Sequence, residues 1–264
     1  VTTGDDGVHA DETVTITDGT FSIPKCYEGI EGQTIDISGG TIDIVSSDDG
    51  LNAAGGADQS GFGGRGPDSF GGNSDCCITI SGGTIRIDAS GDGIDSNGAL
   101  TVSGGEIYVS GPTSDGDSAI DHDGSATVTG GTVIAAGYSG MAQNFGTDST
   151  QGSILLTSRS TSTETIRVTD ASGSVLAEFA PAKAYSCVIV STPALKQGGT
   201  YTVTMSGEST DVTLESLIYG TGGTGGGMGG QPGGGNMGMP PDGNGGGMGT
   251  PPDGNGGKGG RPGQ

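Results

Sequence analysis

A short pattern recurs five times in the first half of the chain and constrains the fold more than any other feature. Each unit reads as a strand, a two-residue corner that is Gly-Gly in four of the five cases, and a second strand. The units occupy residues 14–23, 35–44, 78–87, 100–109 and 126–135. Apolar and polar residues alternate on both sides of the corner, which is typical of strands with one buried face.

The spacing of the units indicates how they assemble. The second corner residue falls at Gly19, Gly40, Gly83, Gly105 and Gly131, so the steps are 21, 43, 22 and 26 residues. One unit cannot bury its apolar face alone, whereas stacked units bury a continuous column of Ile and Val. The sequence therefore predicts an all-β chain that forms a right-handed parallel β-helix of about five to six coils. A β-propeller or an immunoglobulin-like sandwich does not explain identical residues at one-coil spacing.

The repeat ends after Gly146, and two regions of different composition follow. We predict a β-helix at 1–146 with an insertion loop at 55–75, a C-terminal β-sandwich-like cap at 147–219, and an extended tail at 220–264. The cap has longer strand patterns and a turn at 170–173 that is typical of a hairpin. A cap is expected at the end of a coil stack because the last coil exposes unpaired backbone.

The tail is rich in Gly, Pro and Met. It holds 23 glycines and 6 prolines in 45 residues, a composition that cannot form an apolar core. An 11-residue unit at 237–247 recurs at 248–258, each time with Pro-Pro-Asp-Gly-Asn. A flexible linker and a segment that docks on other subunits are both compatible with this pattern.

An acidic motif follows the strands and keeps their register. It consists of Asp-Gly or Glu-Gly, an apolar residue and then an acidic or amide residue, with His9 at this last place in the first unit and Ser118-Ala119 in the last unit. If the coils stack, it forms two columns of oxygen-bearing side chains along one corner. The candidate metal ligands are Asp6, Glu28, Glu31, Asp48, Asp49, Asn52, Asp92, Asp95 and Asp121.

These columns predict a bound cation. Neighbouring rungs lie about 4.8 Å apart, so stacked carboxylates repel one another unless a positive charge lies between them. Calcium (Ca2+) takes carboxylate and carbonyl oxygens at about 2.3–2.6 Å and fits this spacing better than magnesium. A solvated acidic edge that only maintains solubility is the alternative. His9 and His122 lack other nitrogen or sulfur ligands, so we predict surface residues rather than a transition-metal site.

Charge and cysteine content narrow the range of partners. With 31 acidic against 9 basic residues the net charge is -22, which disfavours nucleic acid and anionic membrane surfaces. No run of 18 apolar residues predicts a membrane span, and the opening at Val1 without a leader pattern predicts a mature or truncated start. The cysteines are expected to be structural thiols or to form one disulfide, between Cys26 and either Cys76 or Cys77.

The motifs together resemble a known family. The Ile-Ser-Gly-Gly-Thr-Ile corners, the Asp-Asp-Gly motifs and the Ser-Gly-x-Val-Leu-Ala-x-Phe-x-Pro stretch of the cap are similar to those of the secreted bacterial carbohydrate-binding β-helix family. The resemblance spans residues 1–219. It implies a pectate-lyase-like fold, Ca2+ ligation at the acidic corner, an extracellular or cell-surface location, and association with cellulose or acidic pectic sugars.

The predicted function is a non-catalytic calcium-binding protein that binds polysaccharide or mediates surface adhesion. A lyase needs a basic residue beside its calcium. Lys25, Arg65 and Arg86 are the candidates, but Arg86 stands alone in its column, so no enzymatic activity is predicted.

The motifs do not identify the glycan site. The chain has no Trp, and the aromatic candidates are Tyr27, Tyr108 and Tyr138. The alternative function is a subunit of a self-assembling extracellular filament in which the tail docks on neighbouring subunits. In this alternative the first coil, which has no capping element, is open to another chain.

Overall fold

Strands make up the regular structure of the chain. The computed structural model describes residues 1–54 and 75–222, and these residues contain seventeen strands and no helix. Thirteen strands form one large mixed sheet and four form a smaller antiparallel sheet. The predicted all-β class is confirmed. Most of the predicted insertion at 55–75 and most of the tail at 220–264 lie outside the described residues.

The first ten strands come from the repeat region and belong to the large sheet. They are β1 (Val8–Ile16), β2 (Thr20–Cys26), β3 (Ile30–Ile37), β4 (Thr41–Ser46), β5 (Leu51–Ala53), β6 (Cys77–Ala89), β7 (Ile94–Ser96), β8 (Ala99–Ser110), β9 (Asp121–His122) and β10 (Ala126–Gly137). All pairing among these ten strands is parallel.

Equivalent positions of successive units pair side by side in three parallel ladders. The first ladder joins Val14, Ile35, Ile78, Leu100 and Ala126. The second ladder joins Ile23, Ile44, Ile87, Val109 and Ala135. The third ladder joins Val8, Ile30, Leu51 and Ile94. β3 pairs directly with β6, so the 43-residue step in the sequence still joins adjacent rungs of the first ladder.

The Gly-Gly corner is required by backbone conformation and by close approach. Gly40 and its four equivalents have positive φ values between 81° and 106°, a region that residues with a side chain rarely adopt. A Cβ atom on the preceding Gly39 would overlap the carbonyl oxygen of Thr17 in the unit above. A side chain at either position would therefore strain the turn or push neighbouring units apart.

The alternating apolar residues form a continuous buried core. Ile35, Ile42 and Ile85 have no exposed surface, and their equivalents in the other units are also buried except Phe21 of the first unit, which is partly buried. The same core continues into the C-terminal region through Leu155 and Ile189. Burial of this apolar surface is the main source of stability for stacked repeat units.

The predicted cap at 147–219 consists of two parts. Its strands are β11 (Ser153–Ser162), β12 (Ile166–Asp170), β13 (Val175–Phe179), β14 (Tyr185–Ser191), β15 (Thr200–Met205), β16 (Glu208–Thr213) and β17 (Ile218–Tyr219). β14 pairs antiparallel with both β10 and β11, so it covers the last rung of the second ladder. β12, β13, β15 and β16 form the smaller sheet. The predicted hairpin is confirmed, because the amide of Gly173 donates to the carbonyl of Asp170 at 2.9 Å between β12 and β13.

The edge strands of the first unit carry features that oppose pairing with another chain. Among the described residues β1 pairs only with β3, and β2 pairs with β4 and through a short bridge with Thr2. Each strand has a register shift, at 11–12 in β1 and at 24–25 in β2. The shifted positions are occupied by Asp-Glu and Pro-Lys. Bulges, charges and proline are common protections of edge strands, so this edge is less open than the sequence suggested.

The cysteines were expected to be structural thiols or to form one disulfide, and the structure contains no disulfide between Cys26 and Cys76 or Cys77. Cys26 lies at the end of the second ladder opposite Ser46, whereas Cys77 begins the first-ladder segment opposite Thr34. The Cys26 thiol donates instead to the carbonyl of Val45 at 3.3 Å. Burial raises the pKa of the Cys26 thiol to about 11, which makes it poorly reactive.

Candidate metal centre

The acidic motif lies along the third ladder, and its predicted register is confirmed. Strands β1, β3, β5, β7 and β9 contribute one rung each. The residues paired along this column are His9, Glu31, Asn52, Asp95 and Asp121. Because partners in a parallel ladder point to the same face, their side chains follow one another along a single corner.

Carboxylates that bridge successive rungs fix the other predicted column, which consists of Asp6, Glu28, Asp49, Asp92 and Ser118. Asp6 Oδ1 accepts the backbone amide of Glu28 at 3.3 Å, and Asp49 Oδ1 accepts that of Asp92 at 2.6 Å. The Asp92 carboxylate accepts the amide of Ser118 in the same way. These contacts hold the carboxylates in place one above another.

Glycine in the motif allows the rungs to approach closely. A Cβ atom on Gly29 would lie 2.6 Å from Cγ2 of Ile44 and would overlap the carbonyl oxygen of Gly50. Both residues of the acidic-Gly pair are therefore needed. Glycine allows the neighbouring rung to approach closely, and the acidic residue supplies an oxygen ligand. This packing brings the carboxylates of adjacent units together.

Asp49, Asp92 and Asp95 form the central cluster, in which carboxylate oxygens of all three residues lie within 4.8 Å of one another. Burial, followed by repulsion from Asp92, raises the pKa of Asp49 well above its usual range. Burial, followed by repulsion from Asp95, raises the pKa of Asp92 to about 9, although the hydrogen bond from Ser118 lowers it. The fold thus holds negative groups together in a place where protons or a cation must compensate them.

A buried acceptor without a partner lies on the same column. Asn52 is only 7% exposed, and its Nδ2 donates to Glu28 Oε2 at 3.0 Å, but its Oδ1 has no hydrogen-bond partner among the described residues. Leaving a buried acceptor unsatisfied costs about 1–3 kcal/mol. Asn52 pairs in register with Glu31 and with Asp95, so this oxygen belongs to the column of candidate ligands.

Glu28 is the most strongly buried of the predicted acidic ligands, with 4% exposure. Burial, followed by repulsion from Glu31, raises the pKa of Glu28 to about 9, and the hydrogen bond from Asn52 acts in the opposite direction. A hard divalent cation would replace the protons that such carboxyl groups otherwise bind. Oxygen donors of this kind are the ligands that calcium prefers.

Asp6, His9 and Glu31 form the outer cluster, in which the sequence predicted Asp6 and Glu31 as metal ligands but His9 only as a surface residue. His9 Nδ1 lies 2.6 Å from Glu31 Oε2 and 3.6 Å from Asp6 Oδ2, and Nε2 lies 3.2 Å from Asp11 Oδ1. Burial lowers the pKa of His9, but the hydrogen bonds to Glu31 and Asp11 outweigh it and the net pKa is raised. His9 is exposed as predicted, yet it is not isolated.

The two remaining predicted ligands, Asp48 and Asp121, lie beside these clusters. The Asp48 carboxylate contributes to the repulsion that raises the pKa of Asp49. Asp121 accepts the amide of His122 at 2.9 Å and a hydrogen bond from the side chain of Gln143, while burial raises its pKa. Gln143 was missed because it lies in the irregular segment after the last repeat strand.

The three predicted tyrosines lie apart from one another. Tyr27 is half-buried in the acidic corner, where its amide donates to the carbonyl of Asp5 at 3.0 Å. Tyr108 lies on the outer face of the second ladder, in register with Arg86. Tyr138 lines a polar cavity of about 580 Å³ together with Arg159.

The basic residues considered for catalysis lie on other elements than the acidic clusters. Arg86 lies in β6 on the second ladder, opposite Asp43, and Lys25 is exposed in β2. Arg65 lies outside the described residues. No basic side chain therefore belongs to the Asp49–Asp92–Asp95 cluster among the described residues.

Comparison with protein-family models, with curated proteins and with solved structures gave no match. Within residues 1–54 and 75–222 there is also no helix whose length and apolar character would allow it to cross a membrane.

Proposed function

We propose that this protein is a non-catalytic, extracellular, calcium-binding parallel β-helix that binds polysaccharide. The observation that carries the proposal is the half-buried cluster of the Asp49, Asp92 and Asp95 carboxylates together with the buried, unpaired Oδ1 of Asn52 on the same corner. Both features call for a cation with a preference for oxygen ligands.

The pairing of the repeat units supports the β-helix part of the proposal. Each unit contributes segments to three parallel ladders, and equivalent residues of successive units are direct partners in all three. A chain that returns to the same ladder after each unit completes one coil per repeat. Crossover connections between parallel strands are right-handed in nearly all proteins, so we infer a right-handed helix.

Calcium would be held by the carboxylates of Asp49, Asp92 and Asp95, with Asn52 Oδ1 as a neutral oxygen donor on the same column. The ion would supply the positive charge that lowers the pKa of these carboxyl groups and would join successive coils. In this proposal the calcium ion has a structural role and takes part in no catalytic step.

Polysaccharide binding is supported by a flat polar surface on the first ladder. Its outer face carries a column that pairs in register and consists of Thr15, Asp36, Thr79, Thr101 and Thr127. Hydroxyl groups repeated at the rung spacing can donate hydrogen bonds to a regular sugar polymer and accept hydrogen bonds from it. High β-propensity at exposed positions also favours threonine here, so this surface supports the proposal without defining a site.

The filament alternative receives less support. It depends on the tail at 220–264, most of which lies outside the described residues, and on an open first coil. The register shifts with Asp-Glu in β1 and Pro-Lys in β2 protect that edge. Polysaccharide binding is therefore the function we infer.

Thermal unfolding in calcium and in EDTA tests the metal. An ion present at a hundred times its Kd stabilises the native chain by about 2.7 kcal/mol. That corresponds to a melting temperature on the order of 5–10 °C higher than in EDTA for a chain of this size. Magnesium at the same concentration serves as the control and should have a smaller effect. An unchanged melting temperature in EDTA at low salt would contradict the calcium site.

Sedimentation with insoluble polysaccharide tests the second half of the proposal. The full chain is mixed with cellulose and with insoluble pectic polysaccharide in calcium, and we expect it to leave the supernatant with at least one of them. The measurement is repeated in EDTA. Binding that persists without calcium is direct, whereas binding that is lost is bridged by the ion. A protein that stays in solution with every polysaccharide would disprove the binding function.

A further inference from the structure

A groove lies between the outer face of the second ladder and the loop that follows β13. It has a volume of about 350 Å³. Its floor is a register column of Ser22, Asp43, Arg86 and Tyr108, and its wall contains residues of the segment 179–182. The column covers three rung spacings, roughly 14 Å, so the groove runs along the stack and suits an extended chain.

The wall of the groove is attached to its floor by polar contacts. The amide of Ala182 donates to Ser110 Oγ at 2.9 Å. Lys183 Nζ forms a salt bridge of 2.8 Å with Asp88 and donates to the carbonyl of Ala89. Because these contacts do not require a ligand, the groove is largely formed before any ligand binds, which reduces the entropic cost of binding.

Apolar and aromatic side chains provide much of the groove surface. The rings of Tyr108 and Phe179 lie 5.5 Å apart at an interplanar angle of 38°. Val45 lines the same groove and is 45% exposed, one of four large apolar side chains with high exposure among the described residues. Such surfaces suit the C–H faces of a sugar ring, which are apolar although its rim is hydroxylated.

Arg86 provides hydrogen-bond donors on the groove floor. Its guanidinium lies 5.4 Å from the centre of the Tyr108 ring, which holds it by a cation–π contact. The salt bridges among the described residues do not include Arg86. A guanidinium with N–H groups still available can donate to the hydroxyl and ring oxygens of a ligand.

The charge of the groove favours a neutral ligand. Arg86 faces Asp43, its register partner, and Lys183 pairs with Asp88, so positive and negative groups balance. The chain as a whole carries a net charge of -22 and repels polyanions. A ligand that carries carboxylates would meet the Asp43 carboxylate beside the Arg86 guanidinium, whereas hydroxyl groups can form hydrogen bonds with both.

The geometry points to this groove as the binding site for a neutral polysaccharide, with Arg86 as hydrogen-bond donor and with Val45 and Phe179 as apolar contacts. The inference rests on the proposed polysaccharide-binding function and adds the site and the charge class of the glycan. Tyr108 is a positioning residue for Arg86, since its ring lies under the guanidinium.

Titration calorimetry of the full chain in calcium tests the site with three soluble probes, which are a β-1,4-glucan hexamer, a β-1,4-xylan hexamer and a galacturonate hexamer. We expect at least one neutral hexamer to bind and Arg86→Ala and Val45→Asp each to weaken its Kd about tenfold or more. The matched controls are Arg159→Ala and Val175→Asp. Arg159 lines the separate polar cavity and Val175 is exposed in β13, so both should leave the Kd within twofold.

The outcomes separate the groove from the function. If the wild-type chain sediments with polysaccharide but both groove variants bind as it does, the groove is wrong and the proposed function stands. If only the galacturonate hexamer binds, the inference that the ligand is a neutral polysaccharide is wrong. If a peptide of residues 237–247 displaces the neutral hexamer, the groove belongs to the tail and this inference fails. If the wild-type chain binds no polysaccharide in any form, both proposals fail.

Melting temperatures within about 3 °C of wild type verify that the exposed substitutions leave the fold intact.

Discussion

The two clusters of the acidic corner lie on the same ladder but balance their charge by different means. The outer cluster contains His9, whose Nδ1 lies 2.6 Å from Glu31 Oε2. The central cluster, Asp49–Asp92–Asp95, consists of carboxylates alone. A proton on His9 can neutralise part of the first cluster, whereas the second depends on protons on its own carboxyl groups or on an external cation.

The difference between the two clusters indicates that one repeated motif can produce two kinds of site. The backbone register is the same at both places, so the residue type at a single rung decides the chemistry. Histidine at the first rung makes the outer cluster responsive to pH near neutrality. We expect asparagine and aspartate at the later rungs to make the central cluster responsive to calcium.

The largest expected effect is on the pH dependence of stability in EDTA. Burial and mutual repulsion raise the pKa of Glu28 and Asp92 to about 9, far above the usual range of roughly 4. The folded chain then binds more protons than the unfolded chain between these values, so the free energy of unfolding falls as the pH rises. We expect the melting temperature in EDTA to drop on the order of 10 °C from pH 5 to pH 8.

Calcium should reverse this trend, which provides the control. The ion competes with protons for the same carboxylates, so its stabilisation is greatest at pH 8 and is lost as the carboxyl groups protonate. The measurement is a set of thermal unfolding curves at constant ionic strength, with and without calcium. A melting temperature in EDTA that rises from pH 5 to pH 8 would show that repulsion in the central cluster does not limit stability.

A smaller effect is expected from neutralising one carboxylate of the central cluster. Asp92→Asn keeps an oxygen that can accept the Ser118 amide, but the folded chain no longer has to protonate that group or hold its charge beside Asp49 and Asp95. We expect the melting temperature at pH 8 in EDTA to rise by roughly 5 °C and the gain from calcium to shrink by at least half. Asp6→Asn, in the outer cluster, should change both quantities less. Asp148→Asn, at an exposed site outside the corner, should change neither. Equal responses of Asp92→Asn and Asp148→Asn would remove the distinction between the central cluster and ordinary surface charge.

Much of the fold follows from the repeat because its signal is local and periodic. The alternation around Gly40 places Ile35 and Ile78 in register, and the same spacing places Glu31 opposite Asn52. A pattern of period two leaves little freedom for register, since a shift of one residue would turn the buried face toward solvent. The all-β class and both acidic columns could therefore be predicted.

Contacts between the repeat and the cap could not be predicted in this way. Tyr108 and Phe179 meet although they are 71 positions apart, and β13 has no equivalent in the repeat. Gln143 reaches Asp121 from an irregular segment for the same reason. His9 was predicted only as a surface residue, although it contacts Glu31 of the adjacent rung and Asp6 and Asp11 of its own unit. Irregular segments bring partners together through tertiary packing, which no periodic pattern encodes.

The smallest expected effect concerns His9 and tests whether the outer cluster is the pH-responsive one. Its folded pKa is raised above 6.5 by Glu31 and Asp11, so its contribution to stability is present below 6.5 and is lost as the pH rises through the folded value. His9→Gln keeps a polar side chain but cannot carry the charge. In EDTA we expect it to lower the melting temperature by about 1–3 °C at pH 5.5 and to have no effect at pH 8.5. The chain has two histidines, so a proton NMR titration of wild type and variant assigns the His9 signal by its loss and measures its pKa directly. A His9 pKa below 6.5, or an equal loss of stability at both pH values, would mean that the histidine does not balance the outer carboxylates and that both clusters depend on an external cation.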